Sequence, residues 1–281
     1  MRTTAFTAAA LVAFASNSVL CRMALEGGTI DAASFSTVRL VAGACSLISI
    51  TRSTGQRVRE SHGSWTSALV LFLYAVPFSF AYVLLPTGTG ALILFGAVQV
   101  TMMTAALAGG ERPRPRQWVG LVLAVAGLVY LVLPGVAAPS LTGAGLMAVA
   151  GVSWGIYSLR GRGAVNPLAQ NAGNFARSIP LTIVVSVLAL QQLHLETRGV
   201  LLAVASGAAA SGLGYVVWYS ALRDLSATRA SLVQLLVPIL AALGGLVVLG
   251  EPLSVRLVLS ALVVIGGIGL ALAGSETRRS G

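Results

Sequence analysis

Two arginines, Arg39 and Arg177, interrupt long apolar stretches of this chain. A charged side chain inside a hydrocarbon layer is expensive and normally faces a bundle interior or water. There it can bind a carboxylate or close a gate. The competing reading is that each arginine caps backbone carbonyls or extends its charge towards an interface. The same stretches carry aromatic and neutral polar side chains: Phe14, Asn17, Tyr74, Phe78, Tyr82, Gln99, Trp154, Tyr157, Tyr215, Trp218 and Gln234. Tyr74, Phe78 and Tyr82 follow one another at four-residue steps, so they share a helix face. Rings with a few amides suit a neutral or zwitterionic solute bearing an apolar side chain. Buried amides need partners or a wet cavity. The alternative for rings is an interfacial belt, which is the expectation for Trp118 and Tyr130.

Other chemistries lack their residues. His62 and His194 fall in loops, and all eight carboxylates fall in loops or at helix ends, among them Glu111 and Glu251. Cys21 and Cys45 sit apart in apolar runs, without metal or disulfide spacing. No nucleophile–base pair or ligand cluster is readable, so no enzyme, cofactor or metal is expected. A proton-coupled pump for organic cations needs a carboxylate deep in the membrane. The sequence offers none, which argues against that mechanism.

The elements that carry these residues are set by composition. Only 9% of the 281 residues are charged, and the mean hydropathy is +0.89. Soluble domains carry roughly 25% charged residues. With about 20 residues per crossing, the apolar runs predict ten transmembrane helices. They lie over 4–24, 31–50, 66–85, 87–109, 117–134, 141–159, 168–190, 199–222, 227–249 and 254–274. Met1-Arg2 before an apolar run resembles a signal peptide, but the large Leu20 precedes Cys21, and the segment is read as the first helix. Pro77, Pro180 and Pro238 fall inside spans and predict hinges.

The net charge of +10 comes from 18 arginines spread over short loops, with no lysine. That distribution serves topology rather than nucleic-acid binding. With the N-terminus cytoplasmic, thirteen arginines collect inside: Arg2, Arg52, Arg57, Arg59, Arg112, Arg114, Arg116, Arg160, Arg162, Arg223, Arg229, Arg278 and Arg279. Arg22, Arg198 and Arg256 fall outside, and the bias predicts that both termini are cytoplasmic.

A shift of 140 residues superposes the two halves. Gly110-Glu111 falls on Gly250-Glu251, Gly127 on Gly267, Arg22 on Arg162, Asn17 on Tyr157 and Phe78 on Trp218. With a two-residue gap Arg39 falls on Arg177. Five helices per repeat is an odd number, so the second repeat (137–281) must cross in the opposite sense to the first (1–136). Inverted repeats recur in secondary transporters, with the site near the midplane.

The "SWG" at 153–155 and the stretch "YVVWYSALRDLSATRASLVQLLVPILAALGGLVVLGEPLS" at 215–254 resemble the drug/metabolite transporter superfamily, in its ten-helix branch of two EamA domains. Within it the chain looks most like YddG-type exporters of aromatic amino acids. Phe14-Ala15 stands where that pattern has Trp-Gly, and Pro77 and Pro86 also depart from it. The resemblance implies an inner-membrane exporter of aromatic or neutral amino acids, working by alternating access between the repeats. Its partners are a small-molecule substrate and the lipid bilayer, with a weak homodimer as a further expectation. Another small metabolite, such as a sugar or nucleotide-related solute, is the alternative substrate.

Overall fold

The structure is a computed structural model and describes residues 2–55, 63–109, 115–133, 138–161, 164–222, 233–234 and 236–273. Its regular elements are helices; among the described residues there is no strand, only one isolated bridge between Ile30 and Leu195. Among the described residues ten helices follow in order. They are α1 (Arg2–Glu26), α2 (Ala32–Ser53), α3 (Trp65–Leu84), α4 (Thr87–Ala108), α5 (Pro115–Val132), α6 (Leu141–Gly161) and α7 (Pro167–Leu188). Helix α8 is built from three continuous pieces, Thr197–Ala205, a π-helical Ser206–Leu213 and Gly214–Leu222. Helix α9 comprises Leu236–Gly244 and a final π turn, Gly245–Leu249. Helix α10 is Val255–Ala273.

Six of these are long and apolar enough to cross a membrane: α1, α2, α3, α4, α6 and α8. Helices α5, α9 and α10 are apolar but shorter over their described residues. Helix α7 is long enough, yet its first half carries Gln170, Asn171, Asn174 and Arg177, which lowers its hydropathy.

Local chemistry sets the boundaries. Asp31, Ser64 and Asn166 cap α2, α3 and α7 by accepting from the backbone NH groups of Ser34, Ser67 and Ala169. Pro167 opens α7 at a position where a missing NH costs nothing. Gly250 ends α9 in the left-handed region, at φ +69°, where glycine meets no Cβ penalty. The chain then turns so that the Glu251 backbone NH donates to the Gly245 carbonyl at 3.1 Å.

Packing follows a simple scheme. Helix α1 packs on α8 and α9, and α6 packs on α3 and α4. Helix α2 lies along α7, and α5 along α10. In lipid such contacts depend on close backbone approach and on shape rather than on the hydrophobic effect. Gly120 and Gly267 meet at the α5–α10 crossing, where a Cβ on either would strike the facing backbone. Gly207 of α8 lies against the backbone of Arg39 in α2 in the same way.

Candidate functional site

Arg39 lies seven residues into α2, roughly 10 Å from the helix start, and is only 1% exposed. The close approach at Gly207 brings the π segment of α8 beside it. Its Nε donates to Ser211 Oγ at 3.3 Å, and its Nη2 donates to the Tyr74 hydroxyl at 3.0 Å. The guanidinium carbon sits 4.8 Å from the Phe78 ring centroid and 5.1 Å from that of Tyr74, within cation–π range. Its Nη1 is buried and has no hydrogen-bond partner. Among the described residues no carboxylate lies within 4 Å of it. The four described carboxylates are engaged elsewhere: Glu26 and Glu251 bind Arg22, Glu196 pairs with His194, and Asp31 caps α2.

Rings radiate from this arginine. Tyr74 meets Phe78 at 5.4 Å and Trp154 at 5.0 Å, and Phe78 meets Tyr82 edge-on at 4.7 Å. Trp154 contacts Tyr215 at 4.8 Å, stacks on Tyr157 at 5.9 Å and meets Phe14 at 5.7 Å. Phe14 also touches Trp218 at 5.6 Å, and Phe175 closes on Tyr215 at 5.7 Å. One continuous cluster thus joins α1, α3, α6, α7 and α8. Edge and offset pairs of this kind each contribute about 0.5–1.5 kcal/mol beyond burial. A short polar chain runs through it: Ser206 Oγ donates to Asn17 Oδ1, and Asn17 Nδ2 donates to the Tyr74 hydroxyl at 3.2 Å. The indole NH of Trp154 has no hydrogen-bond partner.

Polar networks lie towards both ends of the bundle. At the end where α1 stops, Arg22 donates through Nε to Glu251 Oε1 at 3.1 Å, through Nη1 to the Tyr82 carbonyl at 2.9 Å and through Nη2 to Glu26 at 3.0 Å. Glu251 Oε2 accepts from the Thr87 backbone NH at 2.8 Å, placing a negative charge on the positive end of α4. Nearby the Asp31 backbone NH donates to the His194 carbonyl, and that of Glu196 to the Thr29 carbonyl. At the opposite end Arg160 Nε donates to Ser67 Oγ at 3.0 Å, and Asn174 accepts from the Ser64 NH at 2.9 Å. Tyr157 donates to Asn171 and accepts from Asn174 at 3.2 Å.

A family model for EamA-like transporters matches residues 2–133 and again residues 141–273. This chain belongs to the EamA-like transporter family. An uncharacterized protein of Pseudomonas aeruginosa is 49% identical to this transporter, over 97% of this chain and 95% of its own length. An uncharacterized transporter of Archaeoglobus fulgidus is 26% identical, over 76% of this chain and 79% of its own. The uncharacterized transporter YoaV of Bacillus subtilis is 25% identical, over 56% and 57%. A solved crystal structure covers 94% of this chain and 98% of its own with a TM-score of 0.67 at 22% identity, a likeness of fold.

In this EamA-like transporter the expected ring residues come together: Phe14, Tyr74, Phe78, Tyr82, Trp154, Tyr157, Tyr215 and Trp218 all belong to the cluster. Asn17 and Arg39 join it by hydrogen bonds. Gln99 and Gln234 are buried on α4 and beside α9. Arg177 is half-buried, and its Nη1 donates to the Gly173 carbonyl one turn back, as a self-capping side chain does. Trp118 and Tyr130 are 50% and 40% exposed. Pro77 lies inside α3 and Pro180 inside α7, while Pro238 is buried near the start of the described part of α9. Glu111, His62, Arg57, Arg59, Arg112, Arg114, Arg162, Arg223, Arg229, Arg278 and Arg279 lie outside the described residues.

Sequence reasoning missed Ser206, Ser211, Phe175 and the Arg22–Glu251 pair. The serines sit in "ASGAAASGLG" at 205–214, which reads as packing. Arg22 and Glu251 each had a repeat mate, but nothing in the pattern paired them with one another.

Proposed function

We propose that this transporter exports amino acids with aromatic or other neutral apolar side chains across the bacterial inner membrane. It does so by alternating access around the Arg39–aromatic centre. One observation carries the reading: a buried guanidinium with no counter-charge among the described residues, set among rings. Burying a charge without an anion costs several kcal/mol, and a substrate carboxylate supplies that anion. The rings then receive the apolar side chain.

The mechanism proposed is a rocking of two inverted five-helix repeats, 1–136 and 137–281, with both termini cytoplasmic. The double family match and the repeat register support it. So does the packing scheme, which maps onto itself when α1–α5 and α6–α10 exchange places. Arg22–Glu251 serves as the gate at one end, and Arg160–Ser67 with Asn174–Ser64 at the other. Pro77, Pro180 and Pro238 act as hinges, and Gln99 and Gln234 complete the wall. Arg177 assists as a second gate position.

The test is uptake into liposomes holding the purified protein, with labelled Trp, Phe and Thr and with a sugar as competitor. Saturable uptake of an aromatic amino acid, unaffected by the sugar, is the expected result. Sugar uptake without amino-acid uptake or competition overturns the reading.

A further inference from the structure

Resting on the substrate reading above, the residual hydrogen-bonding capacity of the centre says which ionic form of the solute fits. We infer that, beside the amino acids themselves, the centre takes monoanions in preference: aromatic or bulky apolar carboxylates whose α-position bears no ammonium, such as a 2-oxo acid, a 2-hydroxy acid or an N-acylated amino acid.

The acceptors beside Arg39 are already engaged. The Tyr74 hydroxyl oxygen accepts from both Arg39 and Asn17, Asn17 Oδ1 accepts from Ser206, and Ser211 Oγ accepts from Arg39. The unpartnered donors of the same contiguous set are Arg39 Nη1 and the Trp154 indole NH, with the Tyr215 hydroxyl beside them as a further donor. A carboxylate has two oxygens for such donors.

Among the described residues an ammonium two bonds from that carboxylate has no carboxylate partner. The four described carboxylates, Glu26, Asp31, Glu196 and Glu251, are engaged near the end of the bundle where α1 stops. Aromatic faces can hold a cation, but the guanidinium itself already lies over those of Tyr74 and Phe78. A second positive charge beside Arg39 is therefore opposed by like-charge repulsion in a buried setting. A zwitterion keeps the carboxylate contact and loses part of it to the ammonium. A monoanion keeps it whole.

The experiment is competition in proteoliposomes carrying the full chain. Labelled phenylalanine and labelled phenylpyruvate are each supplied, with unlabelled phenylalanine, phenylpyruvate, N-acetylphenylalanine and phenylalaninamide as competitors. Phenylpyruvate and N-acetylphenylalanine are expected to compete at concentrations about tenfold or more below phenylalanine, and the cationic amide not to compete. Arg39→Gln, checked for a monodisperse profile and helical circular dichroism, is expected to erase the difference between phenylpyruvate and the amide. Phenylalanine carried as well as or better than phenylpyruvate overturns this inference and leaves the proposed function standing. Uptake of none of these compounds overturns both. If Arg39→Gln proves unfolded, Tyr215→Phe and Trp154→Phe, which each remove one donor, must narrow the preference for the anion, and an unchanged preference in both also overturns it.

Discussion

The Arg22 guanidinium and the Glu251 carboxylate meet at 3.1 Å although 229 positions separate them in the chain. Their side chains are 13% and 10% exposed. The contact ties the end of α1 to the segment after α9, and Glu251 ties that segment to the start of α4 through the Thr87 NH. Removing Arg22 leaves the nearly buried Glu251 without a cation, and removing Glu251 leaves Arg22 only the more exposed Glu26 as a counter-charge. In detergent, Glu251→Gln and Arg22→Met should each lower the thermal midpoint. The double variant should lose less than the sum, with a coupling of about 1–3 kcal/mol in a double-mutant cycle. Additive losses would show that the pair does not join the helices energetically.

The same pair has a predicted role in access. If it closes one end of the bundle, Glu251→Gln should raise maleimide labelling of a cysteine placed at Phe78, in a background where Cys21 and Cys45 are serine. The buried Phe78 ring lies beneath that end, against Tyr82. Labelling unchanged by the substitution would separate the ion pair from gating.

The meeting of α2 with α8 makes a separate prediction. A Cβ at Gly207 would strike the backbone of Arg39, whereas one at Gly266 on α10 would meet nothing. Gly207→Leu should therefore abolish folding or lower the thermal midpoint by many degrees. Gly266→Ala should be neutral or stabilising by up to about 1 kcal/mol, since alanine favours a helix over glycine. Equal effects would contradict the close approach.

Much of the architecture was legible because lipid imposes a strong rule: each span must satisfy its own backbone, so helices announce themselves as long apolar runs. The described helices lie along the predicted segments, six of them long and apolar enough to cross a membrane, and the ring residues chosen for their shared faces, such as Tyr74, Phe78 and Tyr82, are found packed together. What was not legible depends on how helices turn towards one another. Arg39 and Arg177 look alike in the repeat register, yet one is buried among rings and the other bonds its own helix. The π segment at Ser206–Leu213 presents both Ser206 and Ser211 to the centre, and a wide turn of that kind leaves no mark in an alanine- and glycine-rich run. Such segments are frequent at functional sites.

Ring residues in the centre and rings at the rim should behave differently. Trp154→Ala removes contacts to Phe14, Tyr74, Tyr157 and Tyr215 and should reduce uptake at least about tenfold, an effect of roughly 1.4 kcal/mol or more. Trp118→Ala, on the exposed face of α5, should leave the transport constants unchanged. A transport defect confined to Trp118→Ala would relocate the site.

Arg39 is the group proposed to meet the substrate carboxylate. The most direct measurement compares saturable uptake of a labelled aromatic carboxylate by wild-type and Arg39→Gln proteoliposomes of equal protein content and helical signal. An apparent affinity at least about tenfold weaker is expected in the variant, because a charge-assisted bond to a carboxylate contributes roughly 1.5–3 kcal/mol. Uptake by Arg39→Gln with the wild-type affinity would contradict that role.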